Sequence, residues 1–170
     1  RASGVIRGKN QKLKNKDKVA ESVALAAIKY GDLSHDRTRN IVFDWSALRF
    51  EGDTGPYLQY TAVRANSIME KSRKKPTRVG LDRLDGPEEI TIIKHLARFS
   101  DVLEDVIRDS KPHHLCNYLY ALADKFNKYY HETKIIGSDV ERQRLSLAFA
   151  AYTVLVVGLA LLGIDVPKKM

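Results

Sequence analysis

Apolar residues recur at intervals of three and four along most of the chain, the spacing that lines up one face of an α-helix. Val19, Val23, Ala26, Ala27 and Tyr30 form the first such stripe, and Gly31 offers a stop. Residues 50–56 read as a turn in which Thr54 can cap a helix and Pro56 is tolerated in its first turn. A second helix is therefore predicted over residues 57–71, with Leu58, Ala62, Ala65 and Met69 on one face. A third starts near Pro87, where Glu88 and Glu89 meet the positive end of the helix dipole and Ile90, Ile93 and Ala97 face inward. Asp101 with Glu104 resembles a capping box for a short helix through Ile107, and Pro112 then resets the chain. Leu115, Leu119, Leu122, Phe126 and Tyr130 hold the strongest periodicity and predict a core helix, ended by Gly137. Ser138 and Glu141 give a second capping-box signature, opening a last helix to about Leu162 with Gly163 as its C-terminal cap.

Three stretches depart from this pattern. Residues 41–45 are β-branched and aromatic, which suits a strand or an extended arm. Residues 7–18 carry Arg7, Lys9, Lys12, Lys14, Lys16 and Lys18, and residues 72–87 carry Arg73, Lys74, Lys75 and Arg78, both without apolar periodicity. The first run reads as a solvated loop or frayed end in preference to a contact with an RNA backbone, and the second as an exposed connection. Residues 145–164 hold no formal charge and are flanked by Arg142 and Arg144 on one side and Lys168 and Lys169 on the other, so length alone permits a membrane span. Ser146, Tyr152, Thr153 and several small residues dilute that apolar run, which favours a helix buried all round in a bundle and no membrane partner. The fold class predicted is all-α, a helical bundle with a short non-helical lead-in.

Charge changes the picture of what such a bundle meets. Lys and Arg outnumber Asp and Glu by 29 to 21, a net charge of +8, which suits a polyanionic partner. A single cysteine, Cys116, excludes an internal disulfide and any multi-cysteine zinc site, and fits a reducing, cytoplasmic compartment. The basic, polar residues 1–15 lack the apolar stretch of a secretory signal, and a start at Arg1 points to a piece of a longer chain. His113, His114 and Cys116 sit too close in sequence to converge on one metal ion. His131 and Glu132, as helix neighbours, point about 100° apart, a poor acid/base pair. Residues 52–55 lack the spaced glycines and terminal Lys-Ser/Thr of a phosphate loop, and no nucleophile motif is present. A better lead is the interleaving of Tyr118, Tyr120, Tyr129 and Tyr130 with Lys125, Lys128 and Lys134, since aromatic faces stack on unpaired bases while cations hold phosphates. Tyr130 continues the apolar stripe, so Tyr129 is expected to be the exposed ring.

The phrase Phe50-Glu51-Gly52-Asp53-Thr54-Gly55-Pro56-Tyr57-Leu58-Gln59-Tyr60, continuing through Arg64 to Ser67 and Ile68, resembles the junction between catalytic and anticodon-binding domains in class I arginyl-tRNA synthetases. Ala27 to Leu33, Arg37 and Phe43-Asp44-Trp45 are similar to the closing segment of that family's catalytic region. Pro112-His113, Tyr118 to Tyr120, Phe126-Asn127 and Tyr130 resemble its DALR-type anticodon-binding helices. Val154-Leu155, Gly158-Leu159, residues 161–164, Pro167 and Met170 resemble its C-terminus. The resemblance runs in order over residues 19–170. It implies that residues 1–50 are a remnant of the catalytic or connecting region and residues 51–170 the anticodon-binding bundle.

The resemblance further implies recognition of the tRNA(Arg) anticodon stem-loop by part of an enzyme that ligates arginine to tRNA(Arg). The complete enzyme would use ATP and magnesium. This chain, without HIGH-like or KMSKS-like signatures, would have no complete catalytic site and no cofactor of its own. Its partners would be tRNA(Arg) and the missing catalytic domain, and it would act as a monomer. Tyr130 and Met170 are the positions implied to hold splayed bases, with Tyr129 as the alternate, and Lys134, Arg142 and Arg144 are the candidate phosphate contacts. The competing reading is a stand-alone paralogue of the domain that serves as a protein-interaction or scaffold subunit.

Overall fold

The computed structural model describes residues 15–40, 52–76 and 80–170. Among them are six helices: α1 (Lys16–Leu33), α2 (Gly55–Lys71), α3 (Pro87–Ala97), α4 (Phe99–Asp109), α5 (His113–Glu132) and α6 (Glu141–Leu161). No strand occurs among the described residues, and the expected extended segment at residues 41–45 lies outside them, as do Arg7 to Lys14 and Arg78 of the basic runs.

Local chemistry accounts for three of the helix ends. Thr54 Oγ1 accepts the Tyr57 N–H at 3.3 Å with proline in the first turn of α2, as predicted. Glu89 reaches back to the Gly86 N–H at 3.0 Å to open α3. Gly163 adopts φ +68° after α6, the left-handed cap predicted for it. Two predicted caps do not form. The α4 helix starts at Phe99, before Asp101, with no side-chain cap, because the α3–α4 junction at Arg98 passes almost directly from one helix into the next. Glu141 does not cap its own helix with Ser138; the Ser138 hydroxyl donates to the Ile135 carbonyl, and α5 already ends at Glu132 rather than at Gly137.

The main core cluster is centred on α5, which touches all five other helices. Leu115, Leu119, Leu122 and Phe126 of α5 meet Leu58, Ala62 and Ala65 of α2, Ile92 of α3, and Leu145, Ala148, Ala151 and Leu155 of α6. The α1 helix joins the same cluster through Ala26 and Tyr30, whose single O–H is shared between Asp53 and the Cys116 carbonyl. Gly55 permits that approach, since a Cβ there would overlap the Ala26 carbonyl.

The α6 helix is long and apolar enough to cross a membrane by length and composition, yet it packs on α2, α3 and α5. The expectation that it is buried all round needs correction: Phe149, Val157 and Leu161 are exposed, because the bundle covers only part of its circumference. After Gly163 the chain turns back along α1 and α2. Gln59 Nε2 donates to the Asp165 carbonyl at 2.6 Å and the Lys29 ammonium to the Gly163 carbonyl, a path that carries Met170 to Val19, Ala20, Val23 and Tyr60.

Candidate nucleic-acid interface

A groove of about 580 Å³ opens where α2, the end of α5, the α5–α6 connection and the chain terminus meet. Tyr60, Arg64 and Lys71 supply one wall, and Tyr130, His131 and residues 133–136 the other, with Met170 at one end. Tyr60, Arg64 and Lys71 share a wall because they lie four and seven residues apart on one helix face.

Arg64 organises the floor. Its guanidinium lies over both flanking rings, 4.8 Å from the Tyr60 centroid and 5.0 Å from that of Tyr130. Nη1 donates to Asn127 Oδ1 at 2.5 Å, and Nη2 to the Tyr60 hydroxyl at 3.2 Å. Asn127 is buried and holds that geometry through Nδ2, which donates to Thr61 Oγ1 at 2.8 Å and to the Tyr57 hydroxyl at 3.0 Å. His131 stands edge-on to Tyr130, with ring centroids 5.4 Å apart. The result is an aromatic pair around a fixed cation, with Lys71 and Lys134 exposed at the margins. Rings stack on bases and cations meet phosphates, so this surface is chemically suited to an unpaired nucleic-acid loop.

The predicted site residues separate. Tyr130, Lys134 and Met170 line the groove. Tyr129 does not; it is 0% exposed and packs at 6.2 Å from Phe126, which corrects the expectation of an exposed ring. Burial pushes its phenol well above the ordinary range. The physical reason is helical phase: Tyr129 and Tyr130 lie about 50° to either side of the stripe set by Leu115, Leu119, Leu122 and Phe126, so packing partners decide between them. Arg144 is also turned inward, donating from Nε to Glu89 Oε1 at 2.7 Å and from Nη1 to the Lys134 carbonyl at 2.8 Å. Arg142 is exposed and outside the groove lining.

The other leads dissolve into structure. Tyr118 stacks on His95 at 4.3 Å between centroids, and Lys128 pairs with Glu88 at 3.3 Å. Cys116 is buried, which pushes its thiol up to about 12. No group of three or more His, Cys, Asp or Glu side chains among the described residues could hold a metal. Tyr60, Arg64, Lys71 and His131 join the site beyond the residues expected from the sequence. The signal available for the first three was their common helix face.

Residues 58–170 match the family described as DALR anticodon binding domain, and residues 1–45 match the catalytic domain of class I tRNA synthetases (R). An arginine–tRNA ligase of Streptococcus pneumoniae is 41% identical over all of this chain, which spans 31% of that relative's length. The arginyl-tRNA synthetase of Thermus thermophilus superposes with a TM-score of 0.93 at 31% identity, covering 99% of this chain and 30% of that one. The Plasmodium falciparum arginyl-tRNA synthetase gives 0.79 at 26% identity, over 92% and 28% respectively.

Proposed function

The chain belongs to the DALR anticodon binding domain family, and on that premise we propose that it grips the anticodon stem-loop of tRNA(Arg) for an arginine–tRNA ligase. The observation that carries this reading is the groove itself, where Tyr60, Arg64, Tyr130 and Met170 converge from three separate parts of the chain. Unstacked bases of the loop lie against Tyr130 and Met170, while Lys71 and Lys134 neutralise the backbone on either side.

In this reading residues 1–50 are the end of the catalytic or connecting region, and residues 51–170 are the recognition bundle. Esterification of arginine onto the tRNA belongs to the longer enzyme, acting as a cytoplasmic monomer. The ATP use that this family implies, with magnesium, serves the catalytic step of that longer enzyme. The bundle's share of the work is binding energy and orientation, delivered far from the reacting atoms. The relatives being ligases favours this reading over a scaffold paralogue.

Binding of tRNA(Arg) and of the same transcript with a swapped anticodon tests it. Loss of one stacked base is expected to weaken binding roughly five- to 150-fold, corresponding to about 1–3 kcal/mol. Equal affinity for the two transcripts would refute the assignment.

A further inference from the structure

The groove wall at residues 133–136 is a connection between helices, so its backbone has no helical ladder of its own to fix it. Side chains do part of that work: the Ser138 hydroxyl donates to the Ile135 carbonyl at 2.9 Å, and a second clamp holds the Lys134 carbonyl. Arg144 reaches from the first turn of α6 to the Lys134 carbonyl at 2.8 Å, while its Nε donates to Glu89 Oε1 at 2.7 Å. Glu89 is anchored in turn, because its second oxygen accepts the Gly86 N–H at 3.0 Å. The Glu89 side chain is 2% exposed and that of Arg144 21%. A planar guanidinium held by a carboxylate in this way has little freedom, so the direction of its remaining N–H groups is set.

We propose that Arg144, held by Glu89, is a positioning residue for RNA binding, which fixes the backbone of the 133–136 wall and thereby the place of Lys134 at the groove margin. The inference rests on the groove being the anticodon-loop site. It replaces a direct phosphate contact by Arg144 with an indirect role exercised through Lys134.

The two roles differ in sign for one substitution. Glu89→Gln removes a negative charge, so electrostatics alone would strengthen RNA binding. Positioning requires the opposite: an amide can accept from only one of the Gly86 N–H and Arg144, and even when it faces Arg144 it offers a neutral acceptor in place of the ion pair, so the guanidinium is held less firmly. Arg144→Lys keeps the charge but replaces the fork by a point charge that cannot hold both acceptors.

The experiment is fluorescence anisotropy with the tRNA(Arg) anticodon stem-loop over a range of salt, on variants checked for helical content by circular dichroism. Glu89→Gln and Arg144→Lys are each expected to weaken binding roughly two- to thirty-fold. Lys134→Met should lower the salt slope by about one phosphate contact, and in the Lys134→Met background the effect of Arg144→Lys should shrink. If Glu89→Gln loses helical content, Arg144→Lys and its combination with Lys134→Met decide the matter. Binding by folded Glu89→Gln that equals or exceeds the parent, or losses at Arg144 and Lys134 that add in full, would overturn the proposal. A parent protein that ignores the anticodon would instead remove the functional reading beneath it.

Discussion

Asn127→Leu isolates the network that fixes the groove floor, because leucine keeps asparagine's heavy-atom count and branching while removing every polar contact. Three hydrogen bonds are lost, one from the charged Arg64 and one each to Thr61 and the Tyr57 hydroxyl. A bond involving a charged partner contributes about 1.5–3 kcal/mol and a neutral one about 0.5–1.5 kcal/mol. Two features reduce the sum. Thr61 keeps its bond to the Tyr57 carbonyl at 2.9 Å, and the half-buried Arg64 and Tyr57 can recruit water. Burying the leucine side chain returns about 1 kcal/mol more. The net cost is about 2–4 kcal/mol, which urea unfolding should report as a midpoint lowered by about 1–2 M with the slope unchanged. Stem-loop affinity should fall as well, since Arg64 is no longer held between Tyr60 and Tyr130. A variant within about 0.5 kcal/mol of the parent would show that Asn127 does not tie α2 to α5 as described.

Tyr129→Phe removes a buried hydroxyl that has no hydrogen-bond partner among the described residues, so stability should be unchanged or up to about 1 kcal/mol higher, with stem-loop affinity intact. Tyr130→Leu should do the reverse, leaving thermal stability close to the parent while weakening stem-loop binding by about 1–3 kcal/mol in a titration. Gly158→Ala places a Cβ 2.5 Å from Leu119 Cδ2 where α6 crosses α5, and should cost about 1–3 kcal/mol in chemical denaturation. The Ser72 hydroxyl, the Gly137 N–H and the Lys74 ammonium hold the Glu141 carboxyl below its ordinary value of 4.5. Its contribution to stability is therefore full above that value and lost as pH falls through the lower folded value. Glu141→Gln should flatten this part of the acid limb of a stability–pH curve, and an unaltered limb would count against the contact.

Helix existence was legible in the sequence because most helices carry an apolar stripe and α6 a long apolar run, though that run left the phase of α6 open, and the Thr54 and Gly163 ends were legible because their chemistry is local. What the sequence could not settle were choices made by tertiary partners. Tyr129 and Tyr130 flank the α5 stripe about equally, and only the position of α2, with Arg64 between two rings, makes Tyr130 the groove residue. Glu141 and Ser138 have the spacing of a capping box, yet Ser72 and Lys74, about seventy positions earlier, capture the carboxylate. Arg144 reads as a free cation at a helix start until Glu89 is brought beside it from α3. The groove was partly visible through family resemblance, which pointed to Tyr130 and Met170, while periodicity alone placed Arg64 merely off the core face.

Backbone NMR of the labelled protein, titrated with the tRNA(Arg) anticodon stem-loop, tests most directly whether this groove is where the RNA sits. The largest shifts are expected on Tyr60, Arg64, Tyr130, His131, Lys134 and Met170, fading when the anticodon is changed. Shifts concentrated instead on the α4 surface or on the exposed face of α6, with those residues silent, would contradict it.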